Sequence, residues 1–314
     1  MSAAGLSLPG TPSPLARHAR HARLLAVLGL VFNAFTFGVS WWPFRQLSAL
    51  GLHPLWLTGL SYALVVLLLV AARPRSLAVL WRTPSLWWLV AAAGFTNACF
   101  NWAVTTGDVV RVVLLFYLMP LWAVLLARVL LGERISRRGG LRVALALVGA
   151  LVVMWPVAAP GASALGWPLP RNGAEALGLA GGVGFALNNV LLRREAAHGE
   201  AACALAMFLG GSVVALVLAG LLTHTGLATA PPPLAPLWAL ATLGMGLWFL
   251  VANLALQKGA TLLPANTTSV ILITELLFAG LSALALGAGV LGPREALGSV
   301  MILGSALLAA VQRD

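Results

Sequence analysis

The chain contains few charged residues. Only 9% of its 314 residues are charged, whereas 61% are hydrophobic, and the mean hydropathy is +0.97. A soluble domain carries about a quarter charged residues, which cover its surface, and a chain of this length cannot hide such a shortage inside one core. The scarcity of charge excludes an ordinary soluble domain and predicts an all-α polytopic membrane protein.

Acidic residues and cysteines are especially scarce. The chain has eight acidic and 19 basic residues, which gives a net charge of +11. The arginines lie in short loops between apolar runs, which favours a membrane protein over one that binds nucleic acid. Both cysteines, Cys99 and Cys203, fall inside apolar runs, so they predict neither a disulfide nor a zinc site.

Several enzyme and nucleotide-binding motifs are also absent. The sequence has no Gly-x-x-x-x-Gly-Lys-Ser/Thr loop, no His-Glu-x-x-His pair and no Gly-x-Ser-x-Gly elbow. We therefore expect no enzymatic activity, no cofactor and no metal site. A channel is the remaining class besides a carrier, and it would be expected to show rings of like residues from symmetric subunits.

Apolar runs of about 20 residues, the length that crosses a bilayer, recur along the chain. They predict ten membrane helices at 24–43, 53–72, 85–105, 112–131, 140–157, 175–193, 203–222, 236–257, 265–286 and 295–311. The predicted organisation is a basic N-terminal segment 1–23, a five-helix repeat 24–157, an external linker 158–174, a second five-helix repeat 175–311 and a tail 312–314.

Basic residues fall mainly on one side of this predicted topology. With the N-terminus inside, 15 of the 19 lie on the inner side, and the outer side has only Arg45, Arg111, Arg171 and Arg294. Cytoplasmic loops of membrane proteins carry such an excess of Lys and Arg. The pattern predicts a multi-pass protein of the inner (plasma) membrane with both termini in the cytoplasm.

The two predicted halves resemble each other weakly. Leu130-Leu131-Gly132 and Ala285-Leu286-Gly287 close predicted helices 4 and 9, and Asn101…Gly107 corresponds to Asn253…Gly259. An odd number of helices in each half would insert the second half upside down. Inverted repeats of this kind place a substrate site near the membrane midplane and allow alternating access.

Two segments resemble a known transporter family. Residues 120–134, Pro-Leu-Trp-Ala-Val-Leu-Leu-Ala-Arg-Val-Leu-Leu-Gly-Glu-Arg, resemble the end of the fourth helix in the drug/metabolite transporter superfamily, EamA type. Residues 274–279 resemble the matching segment of the second half, although Leu276 stands where that segment often has proline. Tyr117-Leu118-Met119-Pro120 and the stretch 253–259 are similar to the YddG-like amino acid exporters.

This resemblance implies a ten-helix bundle of two inverted five-helix repeats around a central cavity. It implies export of small metabolites from the cytoplasm. For the YddG-like group, the implied substrates are neutral and aromatic amino acids. A transporter for a sugar, a quaternary amine or a drug remains the alternative, because the superfamily covers all of these. The expected partners are a small-molecule substrate, membrane lipid and a coupling proton, and the protein is expected to be a monomer or a homodimer.

Polar side chains inside membrane helices usually face the interior of the bundle. Together with deep aromatic residues they define the predicted substrate cavity, formed by Asn33, Asn97, Asn101, Trp102, Tyr117, Asn188, Asn189, Trp248, Asn253 and Glu275. Asparagines also hold membrane helices together through hydrogen bonds, so for each of them a structural role is an equal alternative.

Glu275 is the most deeply placed acid in this prediction. A charge at the centre of a membrane helix costs about 2.5–3.5 kcal/mol on insertion scales, so its presence favours a functional role. We expect it to bind a substrate ammonium group or a coupling proton, or else to be a protonated structural carboxyl.

Pro120 interrupts the hydrogen bonds of predicted helix 4, which makes it a candidate gate hinge or merely a tolerated bend.

Gly178 and Gly182 allow close approach of a neighbouring helix. Such a pair is used more often for packing within the bundle than for a dimer face.

Overall fold

Helices account for most of the residues that the computed structural model describes, namely 14–132, 137–155, 170–233, 235–263 and 265–311, and these ranges contain no strand. The α-helices of the described residues are α1 Pro14–Val39, α2 Trp41–Ala49, α3 Pro54–Ala72, α4 Pro74–Arg82, α5 Leu86–Thr106, α6 Val109–Phe116, α7 Met119–Leu131, α8 Arg137–Met154, α9 Gly173–Glu195, α10 Glu200–His224, α11 Pro236–Leu262, α12 Ala265–Leu272, α13 Thr274–Ala285 and α14 Pro293–Val311. The predicted all-helical class is therefore confirmed.

Many of these helices are long and apolar enough to cross a membrane. Within the described residues, six segments meet this criterion: His21–Ala49, Pro54–Ala72, Val109–Leu130, Gly173–His198, Glu200–His224 and Pro236–Gly259. Shorter apolar helices cover Gly139–Met154 and Val270–Ala285. The chain is thus a multi-pass membrane protein, and the count of ten spans stays a prediction.

The ends of the chain and the predicted linker are described only in part. Helix α1 begins at Pro14, so residues 14–23 of the predicted N-terminal segment continue the first helix. The rest of that segment, most of the linker 158–174 and the tail 312–314 lie outside the described residues. The part of the linker that is described leads into α9, which begins at Gly173.

The first predicted helix is interrupted at Ser40, between α1 and α2. Pro43 lacks the N–H that would bond to the carbonyl of residue 39, and its ring crowds that carbonyl. The Ser40 hydroxyl donates to the Phe37 carbonyl at 2.9 Å. The chain resumes as α2, whose Trp41 indole donates to the Ser282 hydroxyl of α13 at 2.9 Å.

Predicted helix 4 is also interrupted, at Tyr117 and Leu118, between α6 and α7. Pro120 is the second residue of α7, a position where its missing N–H costs little. Extended backwards, a continuous helix would need that N–H to bond to the carbonyl of Phe116. The break therefore lies just before Pro120, as the chemistry of proline requires.

Predicted helix 9 breaks at Ile273, between α12 and α13, although no proline is near. The Thr274 hydroxyl donates to the Ile271 carbonyl at 2.6 Å. The Leu276 N–H bonds to the Ile273 carbonyl at 3.1 Å, three residues back rather than four. A threonine side chain that bonds to its own backbone offers an alternative to the regular helix, and here it accompanies the break.

The helices pack as a bundle in which α5 lies between α9 and α10, α1 against α11 and α13, and α8 against α14. Gly178 and Gly182 of α9 face the backbone of α6. A Cβ atom added at Gly182 would lie 2.6 Å from the Phe116 carbonyl oxygen, and one at Gly178 would lie 3.0 Å from that of Val112. This glycine seam, Gly178 and Gly182 against α6, is packing within the bundle.

Candidate functional site

Two of the three interrupted helices, predicted helices 4 and 9, meet at Tyr117 and Glu275. Tyr117 occupies the break between α6 and α7, and Glu275 is the second residue after the break between α12 and α13. The buried Tyr117 side chain lies within hydrogen-bonding reach of the Glu275 carboxyl group. The polar contact therefore joins the first half of the chain to the second at the two points where regular helix is lost.

The position of Glu275 in the first turn of α13 changes its electrostatic surroundings. The N-terminus of a helix carries a partial positive charge and free N–H groups, which stabilise a nearby carboxylate. Helix α1 approaches this turn closely, because a Cβ atom added at Gly38 would lie 2.7 Å from the Glu275 carbonyl oxygen. The recorded partner of the carboxyl group is Tyr117, and no basic residue pairs with it within the described part of the chain.

Four buried polar atoms have no hydrogen-bond partner within the described part of the chain. They are Thr36 Oγ1, Trp122 Nε1, Asn188 Oδ1 and Thr268 Oγ1. Each lies on a helix that is part of an interrupted helix or packs against one. Buried polar groups are normally hydrogen-bonded, so these four atoms are candidates for contact with a polar ligand. We call Tyr117 and Glu275 the helix-break site.

Three of the predicted cavity asparagines are already engaged in bonds within the protein. The Asn33 amide donates to the Ala252 carbonyl at 3.0 Å, joining α1 to α11. Asn101 donates to the Thr58 hydroxyl at 3.0 Å. Asn97 accepts from the Tyr62 hydroxyl at 2.8 Å. In this state they act as ties between helices, which is the structural role such residues often have in membranes.

The other predicted cavity residues are dispersed. Asn253 accepts from the Gln257 amide at 2.9 Å within α11. Trp102 packs edge-on against His53, with ring centroids 5.3 Å apart. Asn189, next to Asn188, is partly buried. Neither of these two contacts involves Tyr117 or Glu275.

Trp248 lies in a different place from the helix-break site. It lines an apolar groove of about 390 Å³ between α2 and α11, together with Trp42, Gln46 and Met245. Its ring stacks on Phe249 with centroids 6.4 Å apart. Trp42 of α2 shares this groove.

A second polar cluster lies at the beginning of α6, and the sequence did not reveal it. The Arg111 guanidinium contacts the Glu175 carboxylate at 2.7 Å and the Glu295 carboxylate at 2.8 Å. Arg111 is only 6% exposed. These three residues, the Arg111 cluster, tie α6 to α9 and α14 and so connect the two halves of the chain.

Backbone bonds hold the same region. Asp108 accepts from the Arg111 N–H at 3.0 Å and from the Val290 N–H at 3.1 Å. Asn172 accepts from the Glu175 N–H at 2.9 Å, which caps the start of α9. Charges, caps and close packing therefore close this end of the bundle, the one predicted to be external.

Comparison with known proteins adds to this geometry. The model of the EamA-like transporter family matches residues 24–155. This part of the chain resembles an EamA-like transporter. The EamA-like region contains α6 and α7 with their break, and the match supports a membrane transporter of small solutes rather than an enzyme. No curated protein matches the sequence.

Solved structures extend the comparison beyond the EamA-like region. One crystal structure of a protein superposes with a TM-score of 0.53 at 20% identity, over 92% of this chain and 97% of that chain. At this identity the likeness concerns the fold alone. It shows that nearly the whole chain, and not only residues 24–155, shares the architecture of a known structure.

Proposed function

We propose that the protein is a secondary transporter that exports neutral or aromatic amino acids, or similar small metabolites, by alternating access. The observation that carries the proposal is the contact between Tyr117 and Glu275 at the breaks of two helices from opposite halves of the chain. Discontinuous helices at corresponding positions of two repeats are typical of substrate and ion sites in secondary transporters.

The proposal includes the predicted frame of ten helices in two inverted repeats, 24–157 and 175–311. It also includes the YddG-like subgroup, an inner-membrane location and cytoplasmic termini. The closed Arg111 cluster on the predicted external side fits a state that opens to the cytoplasm. Release of substrate outside would then require α6 to separate from α9 or α14.

In this mechanism Glu275 binds the substrate ammonium group or carries the coupling proton. A carboxyl that shares a hydrogen bond with Tyr117 can hold a proton or accept a bond from an ammonium group. The unpartnered atoms of Trp122, Asn188 and Thr268 would bind the remaining polar groups of the substrate. Binding would then satisfy groups that are costly to leave unpaired.

The decisive experiment measures flux of labelled neutral and aromatic amino acids into proteoliposomes, with and without a pH gradient. Saturable flux accelerated by the gradient is the expected result. Glu275→Gln should reduce flux at least tenfold while folded yield stays near normal. The matched control is Glu200→Gln, which changes an exposed carboxylate at the start of α10 and should transport normally.

Other outcomes would redirect the proposal. Full transport by Glu275→Gln would remove that residue from the mechanism. Saturable flux that ignores the gradient would make the protein a facilitator. No amino acid flux above that of empty vesicles would exclude the YddG-like activity, and sugars, quaternary amines and drugs would be tested next. Single-channel conductance in place of saturation would contradict a carrier.

A further inference from the structure

The short helix α4 lies between two long apolar helices and cannot itself cross a membrane. Its nine residues, Pro74–Arg82, span roughly 14 Å at 1.5 Å per residue, less than half of a hydrocarbon core of about 30 Å. Since α3 ends at Ala72 and α5 begins at Leu86, α4 lies at the membrane surface where α3 emerges. This is the side on which most basic residues are predicted.

One face of α4 packs against the protein. Ser76 and Leu80, four residues apart, are buried, and α4 contacts α10 and α3 along this face. The Ser76 hydroxyl donates to the Arg73 carbonyl at 2.7 Å and secures the turn that separates α4 from α3. The orientation of the helix is therefore fixed by the bundle.

The exposed side chains of α4 and of the residues that flank it include basic and aromatic ones. Arg73, Arg75 and Arg82 are exposed. Trp81 is 67% exposed and Trp88, at the start of α5, is 70% exposed. No ion pair within the described residues involves any of the three arginines, and the segment from residue 73 to 88 contains no acidic residue.

Glu195, a carboxylate at the end of α9, does not pair with these arginines. Glu195 accepts from the Ser85 hydroxyl at 2.6 Å. It is only 2% exposed, and its carboxylate lies 3.6 Å from the Arg194 guanidinium and 3.2 Å from the His198 ring. The arginines are left free to bind an anion outside the protein.

We propose that Arg73, Arg75 and Arg82, flanked by Trp81 and Trp88, bind the headgroup of an anionic phospholipid. Indole rings prefer the headgroup level of a bilayer, and guanidinium groups bind phosphate in a bidentate manner. Basic residues at an anionic surface each strengthen binding about fivefold. The fixed orientation of α4 distinguishes this lipid site from a diffuse attraction between a basic protein and the membrane.

The test counts lipids retained by the protein. Wild-type protein is taken from nanodiscs of equal phosphatidylglycerol and phosphatidylcholine and analysed by native mass spectrometry. We expect phosphatidylglycerol to be retained preferentially. The variant Arg73→Gln/Arg75→Gln/Arg82→Gln should lose this preference by at least about tenfold, given about fivefold for each arginine.

A control variant removes the same charge elsewhere. Arg23→Gln/Arg128→Gln/Arg137→Gln removes three exposed arginines from the same predicted side and should keep the preference within about twofold of wild type, because they do not surround α4. Equal losses in both variants, or none in either, would overturn the lipid site. Displacement of the lipid by millimolar inorganic phosphate would also overturn it, because a headgroup anchored by the flanking indoles should resist a free anion. Substitution by lysine at the three α4 positions should give an intermediate loss.

Discussion

Helices α6 and α7 together form one predicted membrane helix, yet α6 is buried in the bundle whereas the described side chains of α7 are mostly exposed or partly exposed. All eight residues of α6 are buried, among them Arg111. In α7, Leu121 is the one buried side chain among those described, and Val129 is 78% exposed. The first contacts α9, α13 and α14, whereas the second lies mainly against α9 and α8.

This difference shows that different interactions stabilise the two ends of the bundle. The α6 end is fixed by ion pairs, caps and backbone contact across the glycine seam. The α7 end depends on fewer buried side chains. Regions with few buried contacts open at lower free energy than packed ones. We therefore expect rearrangement during transport to begin at the α7 end.

The largest expected effect comes from removing the buried cation of α6. Arg111→Gln leaves the carboxylates of Glu175 and Glu295 without their partner, and breaking a buried ion pair costs about 3 kcal/mol or more. Thermal unfolding in detergent should shift down by several degrees. The matched variant on α7, Arg128→Gln, changes an exposed side chain and should remain within about 0.5 kcal/mol of wild type. Equal shifts for both variants would contradict the contrast between α6 and α7.

A smaller loss is expected from the glycine seam. Gly182→Ala places a methyl group 2.6 Å from the Phe116 carbonyl oxygen, and overpacking of this kind costs about 1–3 kcal/mol. Gly220→Ala is the control, because a Cβ atom there meets nothing within 4 Å. Chemical denaturation of the two variants provides the measurement. If Gly182→Ala were as stable as Gly220→Ala, the α6–α9 contact would be looser than described.

The junction between the two regions is tested by Tyr117→Phe. Loss of the hydroxyl should lower stability by about 1 kcal/mol and reduce transport several-fold. In the double variant with Glu275→Gln the transport defects should not add, because residues that act together show non-additive effects. Additive defects would indicate that the tyrosine and the carboxyl act independently.

The smallest effect is expected at Thr268 on α12. This residue tests whether predicted helix 9 contributes to the substrate site as predicted helix 4 does. Thr268→Val removes a buried hydroxyl without a partner among the described residues. Stability without substrate should rise by up to about 1 kcal/mol, while the substrate concentration at half-maximal flux increases. A stability loss with unchanged transport would assign the hydroxyl to structure alone.

Much of this arrangement follows from local sequence chemistry. The scarcity of charge and the length of the apolar runs predict a helical membrane protein, and Pro120 predicts an interruption of its helix. Gly178 and Gly182 predict close packing because only small residues let helix backbones approach. These features depend on neighbours in sequence, which is why they can be predicted.

Other features depend on residues far apart in sequence. Arg111 bonds to carboxylates 64 and 184 positions away, and nothing in the neighbouring sequence indicates this pairing. The break before Glu275 is accompanied by a bond from the Thr274 side chain to its own backbone, with no proline near. The bonds of Asn33 and Asn101 are decided by which helix faces them. No local pattern distinguishes such ties from a ligand site.

The glycine seam predicts how the two halves of the chain would behave if they were produced as separate fragments. Gly178 and Gly182 belong to the half that follows the linker, and the α6 backbone that they meet belongs to the half before it. Either half produced alone would leave this surface uncovered, and its backbone carbonyls would face lipid without a neighbour. The two fragments should therefore accumulate only when they are produced together, because each half covers the seam surface of the other.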